Sequence, residues 1–597
     1  MSSYDTYTEI AGPLVLPATD DPRVRYRRVL TPRQRVALCV LVILNLVVSV
    51  TFVVWLLSPG HLPVNQGGPW SVARGAGLVA FVILISIEVI RLVQNSTLWV
   101  FASRMRDPVP MAPPSGLRVA VLTTIVPSKE PLDVLAGTVR DMKRIEYDGR
   151  VDVWVLDEGD DPRVRNLARD LGARHFTRKG RPEYNQPSGP FRAKTKAGNH
   201  NAWRAEHEGD YDIVAQMDPD HRPLRPFLNR TLGYFRDPDV AFVVAPQAYG
   251  NAEESFVAAG AADQSFMFHG VIQRGANGLD APLLIGTNHL YRVEAWAQIG
   301  GYQDSVIEDH FTSLRVHTAT NPQTGRRWKG VYTPDILAVG EGPVTWTDYF
   351  NQQKRWAYGV WDVVLRHSSS LLPQLGWRQR YSYAALQFFY PSVGAIWALG
   401  SVLTGLYLIF GVTAIFLDAA QWALLWGATA AGQLALVVWL RRFNLAEHER
   451  DTFGLVGQAL SVFASPIYAA AGVSALSRRT LQYVVTAKGT LASRDCLATF
   501  HLHAAWAVGA MAALAVSSLA GHTYWVLRLW GLFTAVAAGV PLLMFWHTCR
   551  RYQEALWLAR GRRVTEAYFA PVAAARRPAM RLATSSSASR TFHSPAA

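Results

Sequence analysis

The sequence predicts a mainly parallel α/β domain inserted into an α-helical transmembrane bundle. Three observations lead there. Only 17% of the 597 residues are charged and 50% are hydrophobic, whereas soluble domains average about 25% charged. Long apolar runs flank the chain on both sides of its middle. Between them, short β-branched runs alternate with helical stretches, the pattern of strands joined by crossover helices.

The elements follow in order. Residues 1–35 form a basic N-terminal arm. Val36 to Leu57 is apolar apart from Asn45, Ser49 and Thr51, and about 20 such residues cross a bilayer. It is too long and too far from the start for a secretory signal. Gly75 to Val93 is a second span, with Glu88 and Arg91 expected to reach the interface. These two spans occupy 36–100. A Pro-rich linker (101–115) leads to a water-soluble domain over 115–360. There VAVLTTIV, VDVWVL, DIVAQM and VAFVVA read as strands and PLDVLAGTVRDMKRI as a helix.

Hydrophobic length returns in 361–440, after an interface region, as Pro391 to Phe416 and Gln421 to Leu440. It returns again in 500–547 as Phe500 to Ala520 and Tyr524 to Trp546. Gly454 to Leu476, inside 441–499, is apolar but carries Gly, Ser and Pro466. Residues 548–597 form a basic tail, disordered from about Ala573 on.

Charge decides orientation. Arg23, Arg25, Arg27, Arg28, Arg33 and Arg35 have no acid among them, and Arg550 to Arg590 holds nine arginines against two acids. These windows carry +13 of the net +14. Arginine concentrates on the cytoplasmic flanks of spans, so the charge marks topology rather than nucleic acid, which is excluded as a partner. Six spans satisfy every arginine cluster and place the α/β domain in the cytoplasm. A seventh would put one terminus on the wrong side. Gly454 to Leu476 is therefore expected to lie at the interface or dip in and return. Three cysteines (Cys39, Cys496, Cys549) exclude a disulfide framework.

Five constellations could carry chemistry. Asp157-Glu158-Gly159 follows a strand, where parallel sheets bind ligands. Asp218-Pro219-Asp220 places two carboxylates in a turn, as Mg²⁺ or Mn²⁺ on a diphosphate requires. Glu308-Asp309 are adjacent acids that could supply a general base. Gln352-Gln353-Lys354-Arg355-Trp356 offers a guanidinium for phosphate and an indole for a sugar face. Tyr483 to Gly489 brings Thr486 and Lys488 ahead of a glycine. In isolation each also reads blandly: as an acidic turn, an Asx turn, a helix-start acid pair, an amphipathic surface helix or a loop.

Their order is the signal. The chain resembles the processive family 2 glycosyltransferases, which are cellulose synthases and the related hyaluronan, chitin and mannan synthases. The family pattern D, D-x-D, (T/E)-E-D, Q-x-x-R-W is matched by Asp157, Asp218 to Asp220, Ile307 to Asp309 and Gln352 to Trp356. Lys196 to Asn199 is similar to the family's K-A-G-N segment, and Tyr483 to Gly489 to its gating loop. The resemblance covers about Val119 to Gly489. It implies a GT-A (Rossmann-like) fold and an inverting transfer from a nucleotide sugar, UDP-glucose first, to a growing β-linked polysaccharide that is passed through the spans.

Carried over, Asp157, Lys196 and Asp218 would bind the donor, Asp220 the Mg²⁺ or Mn²⁺, and Asp309 would be the base. Arg355 would bind the leaving diphosphate, Trp356 would stack near the acceptor sugar, and Thr486 and Lys488 would close over the donor. Three departures stand out. Ile307 replaces Thr, Glu158 replaces a second Asp, and Gly286-Thr287-Asn288-His289 replaces small residues expected at the acceptor site. No C-terminal cyclic-di-GMP-binding domain is expected in the roughly 50 residues after the last span. The alternatives are a non-processive transferase acting on a lipid or short acceptor and a catalytically dead transporter or scaffold. The intact acids and Arg355 weigh against the latter. The expected location is the plasma membrane.

Overall fold

The structure is a computed structural model that describes residues 9–16, 21–61, 72–415, 418–478 and 492–561. The chain divides into two units, Met1–Pro541 and Leu542–Ala597. The described part of the second, 542–561, is helical.

Seven strands build the central sheet of the first unit: β1 (Arg118–Ile125), β2 (Arg150–Asp157), β3 (Arg174–Phe176), β4 (Ile213–Met217), β5 (Val240–Val244), β6 (His289–Arg292) and β7 (Lys329–Tyr332). Their spatial order is β7-β5-β6-β4-β1-β2-β3. All pairs are parallel except those of β6, which runs antiparallel to β4 and β5. This is the GT-A arrangement. Both faces are covered, so the central strands are continuously apolar rather than alternating. On β1, Val119 and Val121 enter one core while Ala120 and Leu122 enter the other, all fully buried. The four strands legible in the sequence are present. β3, β6 and β7 are short, polar-flanked and not distinguished by pattern.

Four helices position the chemistry: α1 (Lys196–His207), α2 (Glu308–Thr318), α3 (Trp346–Val363) and α4 (Leu455–Leu476). α1 and α2 start at the carboxyl edge of the sheet, beyond the ends of β2 and β4.

Seven helices are long and apolar enough to cross a membrane: Pro32–Leu56, Val72–Arg104, Trp377–Phe410, Ala419–Phe443, Leu455–Leu476, Leu497–Leu519 and Trp525–Cys549. The sequence reading counts six spans. The seventh is α4. More than half of its apolar window is buried inside the protein, against a third or less for each of the others. It packs on α3, where Gly472 meets Trp361, and on Trp377–Phe410, where Gly394 meets Tyr468. The sequence pattern alone could not reveal this, because burial against protein and burial in lipid select the same apolar residues.

Two expectations are corrected. Val72–Arg104 is a 33-residue helix, longer than Gly75 to Val93, so Glu88 and Arg91 lie at mid-helix. Glu88 is buried, and the two side chains turn toward each other. Arg91 donates to Glu88 at 2.6 and 2.9 Å and to Thr429 of the neighbouring helix at 2.8 Å, the pairing inside a bundle that desolvated charges require. The 101–115 stretch is not a loose linker either. The helix runs to Arg104, and Arg106–Pro108 pairs antiparallel with Tyr26–Arg28.

Arg274 donates to the buried Asp107 at 2.5 and 2.7 Å. This ties the junction to the helical segment Arg274–Gly278 of the α/β domain. There the backbones approach closely enough that a Cβ at Gly278 would overlap the carbonyl oxygen of Arg104. Gly278→Ala should therefore lower the thermal midpoint and the folded yield of the full chain, as overpacking does by about 1–3 kcal/mol or more against rigid backbone. Unfolding followed in detergent measures this, and an unchanged midpoint would show that the junction can separate at no cost.

Candidate active site

Asp157 ends β2 and its side chain is fully buried. It accepts the N–H groups of Gly159 at 2.8 Å and Asp161 at 2.6 Å, and faces His175 Nε2 at 3.3 Å. Glu158 turns the other way. Arg178, 1% exposed, donates to it through Nε at 2.9 Å and Nη2 at 2.7 Å. The same guanidinium also donates to the carbonyls of Tyr184, Arg192 and Thr195 at 2.9–3.1 Å. The extra methylene of Glu158 relative to Asp gives it the reach to Arg178. That arginine is a functional candidate that no sequence motif singles out.

Thr195 caps α1, its hydroxyl accepting the Gly198 N–H at 3.1 Å. Gly198 is required there, since a Cβ would overlap the carbonyl of Arg192 and crowd Arg178. The cap sets Lys196 as the first helical residue. Its Nζ donates to Asp218 at the end of β4 and to the Gly286 carbonyl. The Asp218 N–H donates to Thr287 Oγ1 at 3.0 Å. Asp157 and Asp218 lie at the same sheet edge, separated by one intervening strand, or about 10 Å at normal strand spacing.

The metal-ligating atoms of Asp218, Asp220 and His221 all lie within 4.8 Å of one another. Asp220 and His221 are buried. Two carboxylates and an imidazole make a donor set that suits a divalent cation with an affinity for oxygen and nitrogen, such as Mn²⁺, and the carboxylates suit Mg²⁺. His221 is the member the D-x-D reading missed.

Glu308 and Asp309 open α2. Asp309 Oδ1 accepts the His310 N–H at 2.7 Å. Burial, reinforced by the charge of Glu308, pushes the Asp309 carboxyl up to about 7, and burial raises Glu308 too. Lys196 and Arg355 act on both acids in the opposite sense. Arg355 on α3 is thus brought into the field of the acid pair.

A cavity of about 10 Å³, about room for one water molecule, lies among Lys196, His200, Gln216, His289, Glu308 and Asp309. His200 and His289 are held neutral by burial, His289 at about 3. His289 Nε2 lies 2.7 Å from the Tyr302 hydroxyl.

Trp356 is partly exposed and packs against the core cluster that includes Ile307, Phe311 and Val360. Ile307 itself is 5% exposed and lies against Gly359 of α3. The Thr-to-Ile departure thus feeds the core between α2 and α3 rather than the site. Thr287 and Asn288 are also fully buried. Asn288 donates to the Pro246 carbonyl at 2.9 Å, so this segment holds Asp218 and Lys196 rather than offering a polar surface. Gln353 accepts the Tyr468 hydroxyl at 2.7 Å, joining α3 to α4. Thr486 and Lys488 lie outside the described residues. The chain beyond them is anchored at the start of α3, where Asp348 accepts the Ser493 N–H at 2.9 Å and Asp495 accepts the Thr347 N–H at 2.8 Å.

Residues 213–439 match the family model described as "Glycosyl transferase family group 2". The chain is 27% identical over 379 residues to "Cellulose synthase 2" of Novacetimonas hansenii, covering 62% of this chain and 22% of that protein. It is 29% identical over 325 residues to the UDP-forming cellulose synthase of Xanthomonas axonopodis pv. citri, covering 53% and 41%. The chain therefore spans under half the length of these relatives. Among solved structures, a mannosyltransferase from Pyrobaculum calidifontis with GDP-Man and Mn²⁺ superposes with a TM-score of 0.46 at 14% identity, over 68% of this chain and 100% of that one. The motif order, the mixed sheet and the family match agree: the chain carries a family 2 glycosyltransferase domain and is similar to cellulose synthases.

Proposed function

We propose that this protein is a membrane-embedded inverting hexosyltransferase that transfers sugar from a nucleotide sugar, UDP-glucose first, to a growing β-linked polysaccharide. The observation that carries the reading is the convergence of Lys196, Asp218 and Asp309 at one sheet edge, with the Asp309 carboxyl raised to about 7. A base poised near neutral pH takes a hydroxyl proton most effectively.

In this reading Asp157 and Lys196 hold the nucleotide and Asp218 the diphosphate. Asp309 takes the acceptor hydroxyl proton as that oxygen bonds to the anomeric carbon, and the bond from that carbon to the nucleoside diphosphate breaks. Arg355 neutralises the leaving diphosphate, and Trp356 supplies a flat apolar face for the acceptor sugar. Mg²⁺ or Mn²⁺ at Asp220, with Asp218 and His221 alongside, would supply Lewis-acid stabilisation of the diphosphate. Thr486 and Lys488 cover the donor and exclude water.

The catalytic domain faces the cytoplasm at the plasma membrane, α4 lies at the interface, and the polymer passes through the spans. The burial of α4 within the protein supports setting it apart from the six lipid-facing helices.

The test is a nucleotide-sugar screen with the purified full chain in Mg²⁺ or Mn²⁺, read as release of nucleoside diphosphate. UDP-glucose should give the fastest release, and chelation should remove it with recovery on adding metal back. Turnover indifferent to chelator would refute the metal assignment. Short products of fixed length would show a single-transfer enzyme instead of a polymerase.

A further inference from the structure

A cavity of about 270 Å³, sharing no lining residue with the candidate active site, lies where one apolar helix begins and another ends. It is lined by Arg28 of the strand before Pro32–Leu56, Arg35 in the first turns of that helix, Arg104 at the end of Val72–Arg104, and Arg106 just beyond. Leu30 and Met105, both buried, form its apolar floor.

Four guanidinium groups around one cavity repel one another, and no acidic residue lines the cavity to offset that. None of the four side chains has an ion pair or hydrogen bond to another described residue. The nearby Asp107 is committed to Arg274. The Arg35 Nε is shielded from solvent and has no hydrogen-bond partner among the described residues. Arg33 and Arg35 also sit at a helix N-terminus whose first turn holds no acid, where the helix dipole disfavours cations. An anion in the cavity would relieve all of these costs.

The geometry points to the phosphate group of an anionic phospholipid. Guanidinium forks match phosphate oxygens bidentately, and basic pockets at the ends of membrane helices bind lipid headgroups. The lipid is favoured over a free anion by what adjoins the cavity. Directly past Arg35 the helix exposes Val36 (65%), Val40 (50%) and Ile43 (57%), an aliphatic track on which acyl chains would lie. The site adjoins the junction formed by Arg106–Pro108 and Arg274–Gly278, so the headgroup would brace the α/β domain against the bilayer. The inference rests on Pro32–Leu56 and Val72–Arg104 lying in a membrane.

The experiment titrates the full chain in detergent with phosphatidylglycerol and with phosphatidylcholine, reading bound lipid by native mass spectrometry. Wild type should bind phosphatidylglycerol at least about tenfold more tightly, with a preference that falls as salt rises. Arg35→Gln with Arg104→Gln should abolish the preference, as should Arg28→Gln with Arg106→Gln. The second pair is built on the other flank of the cavity, so folding damage in one pair cannot mimic the result in both. Arg35→Lys with Arg104→Lys should keep part of it.

Equal affinity for the two lipids, or a preference that survives both double variants, overturns the proposal. Displacement of phosphatidylglycerol by millimolar inorganic phosphate assigns the cavity to a soluble anion and overturns the lipid. Failure of the protein to partition into membranes would instead refute the bilayer placement on which the inference rests.

Discussion

Asp309→Asn is expected to lower diphosphate release by about 10³-fold, within the range that a positioned base contributes, while donor binding stays close to wild type. Asparagine keeps the shape and can still accept the His310 N–H, but it cannot take a proton. Steady-state release and donor binding measured on the same preparation decide this. Turnover within about tenfold of wild type would remove Asp309 from the mechanism.

The pH dependence has a definite sign. The base form of Asp309 is the ionised one, so activity should fall about tenfold per pH unit below about 7. Glu308→Gln removes the neighbouring charge that raises Asp309, so the acidic limb should move to lower pH. Stability runs the other way. A carboxyl raised in the folded state binds more protons folded than unfolded, so its contribution is lost as pH rises from the ordinary carboxylate range through about 7. Asp309→Asn should therefore raise the thermal midpoint at pH 8 even as it removes activity. A midpoint lowered at pH 8 would show that the carboxylate stabilises the fold.

Arg178→Ala is expected to cost about 3–5 kcal/mol, the loss typical of breaking a buried ion pair from one side. It leaves the partly buried Glu158 unpaired, beside three carbonyls that had shared the Arg178 donors. One of these belongs to Thr195, the cap that sets Lys196, so the donor side should loosen as well. KM for the nucleotide sugar should rise about tenfold with a smaller change in kcat. Arg178→Lys should rescue little, since an ammonium cannot serve five directions at once. Thermal unfolding and the split between KM and kcat test both halves, and an unaltered KM in a destabilised variant would confine Arg178 to a structural role.

The architecture and the order of the chemistry were legible in the chain alone. Local apolar length reveals the helices, β-branched runs reveal β1, β2, β4 and β5, and acids following strands mark the ligand edge. These are short-range signals, each contained in about 5 to 25 contiguous residues.

Whatever depends on residues far apart in the chain emerged only in three dimensions. Glu88 is paired with Arg91, and Thr429 of the next helix lies beside the pair. Ile307 belongs to a core because Gly359 makes room for it. Lys196 meets Asp218 and the Gly286 carbonyl across 22 and 90 residues. The Asp309 carboxyl reaches about 7 because burial beside Glu308 raises it. Arg178 and His221 carry no motif of their own, and the four-arginine cavity joins part of the N-terminal arginine run to Arg104 and Arg106, which no charge run singles out. In each case the deciding energy is desolvation, which depends on what surrounds a group in space and not on its neighbours in the chain.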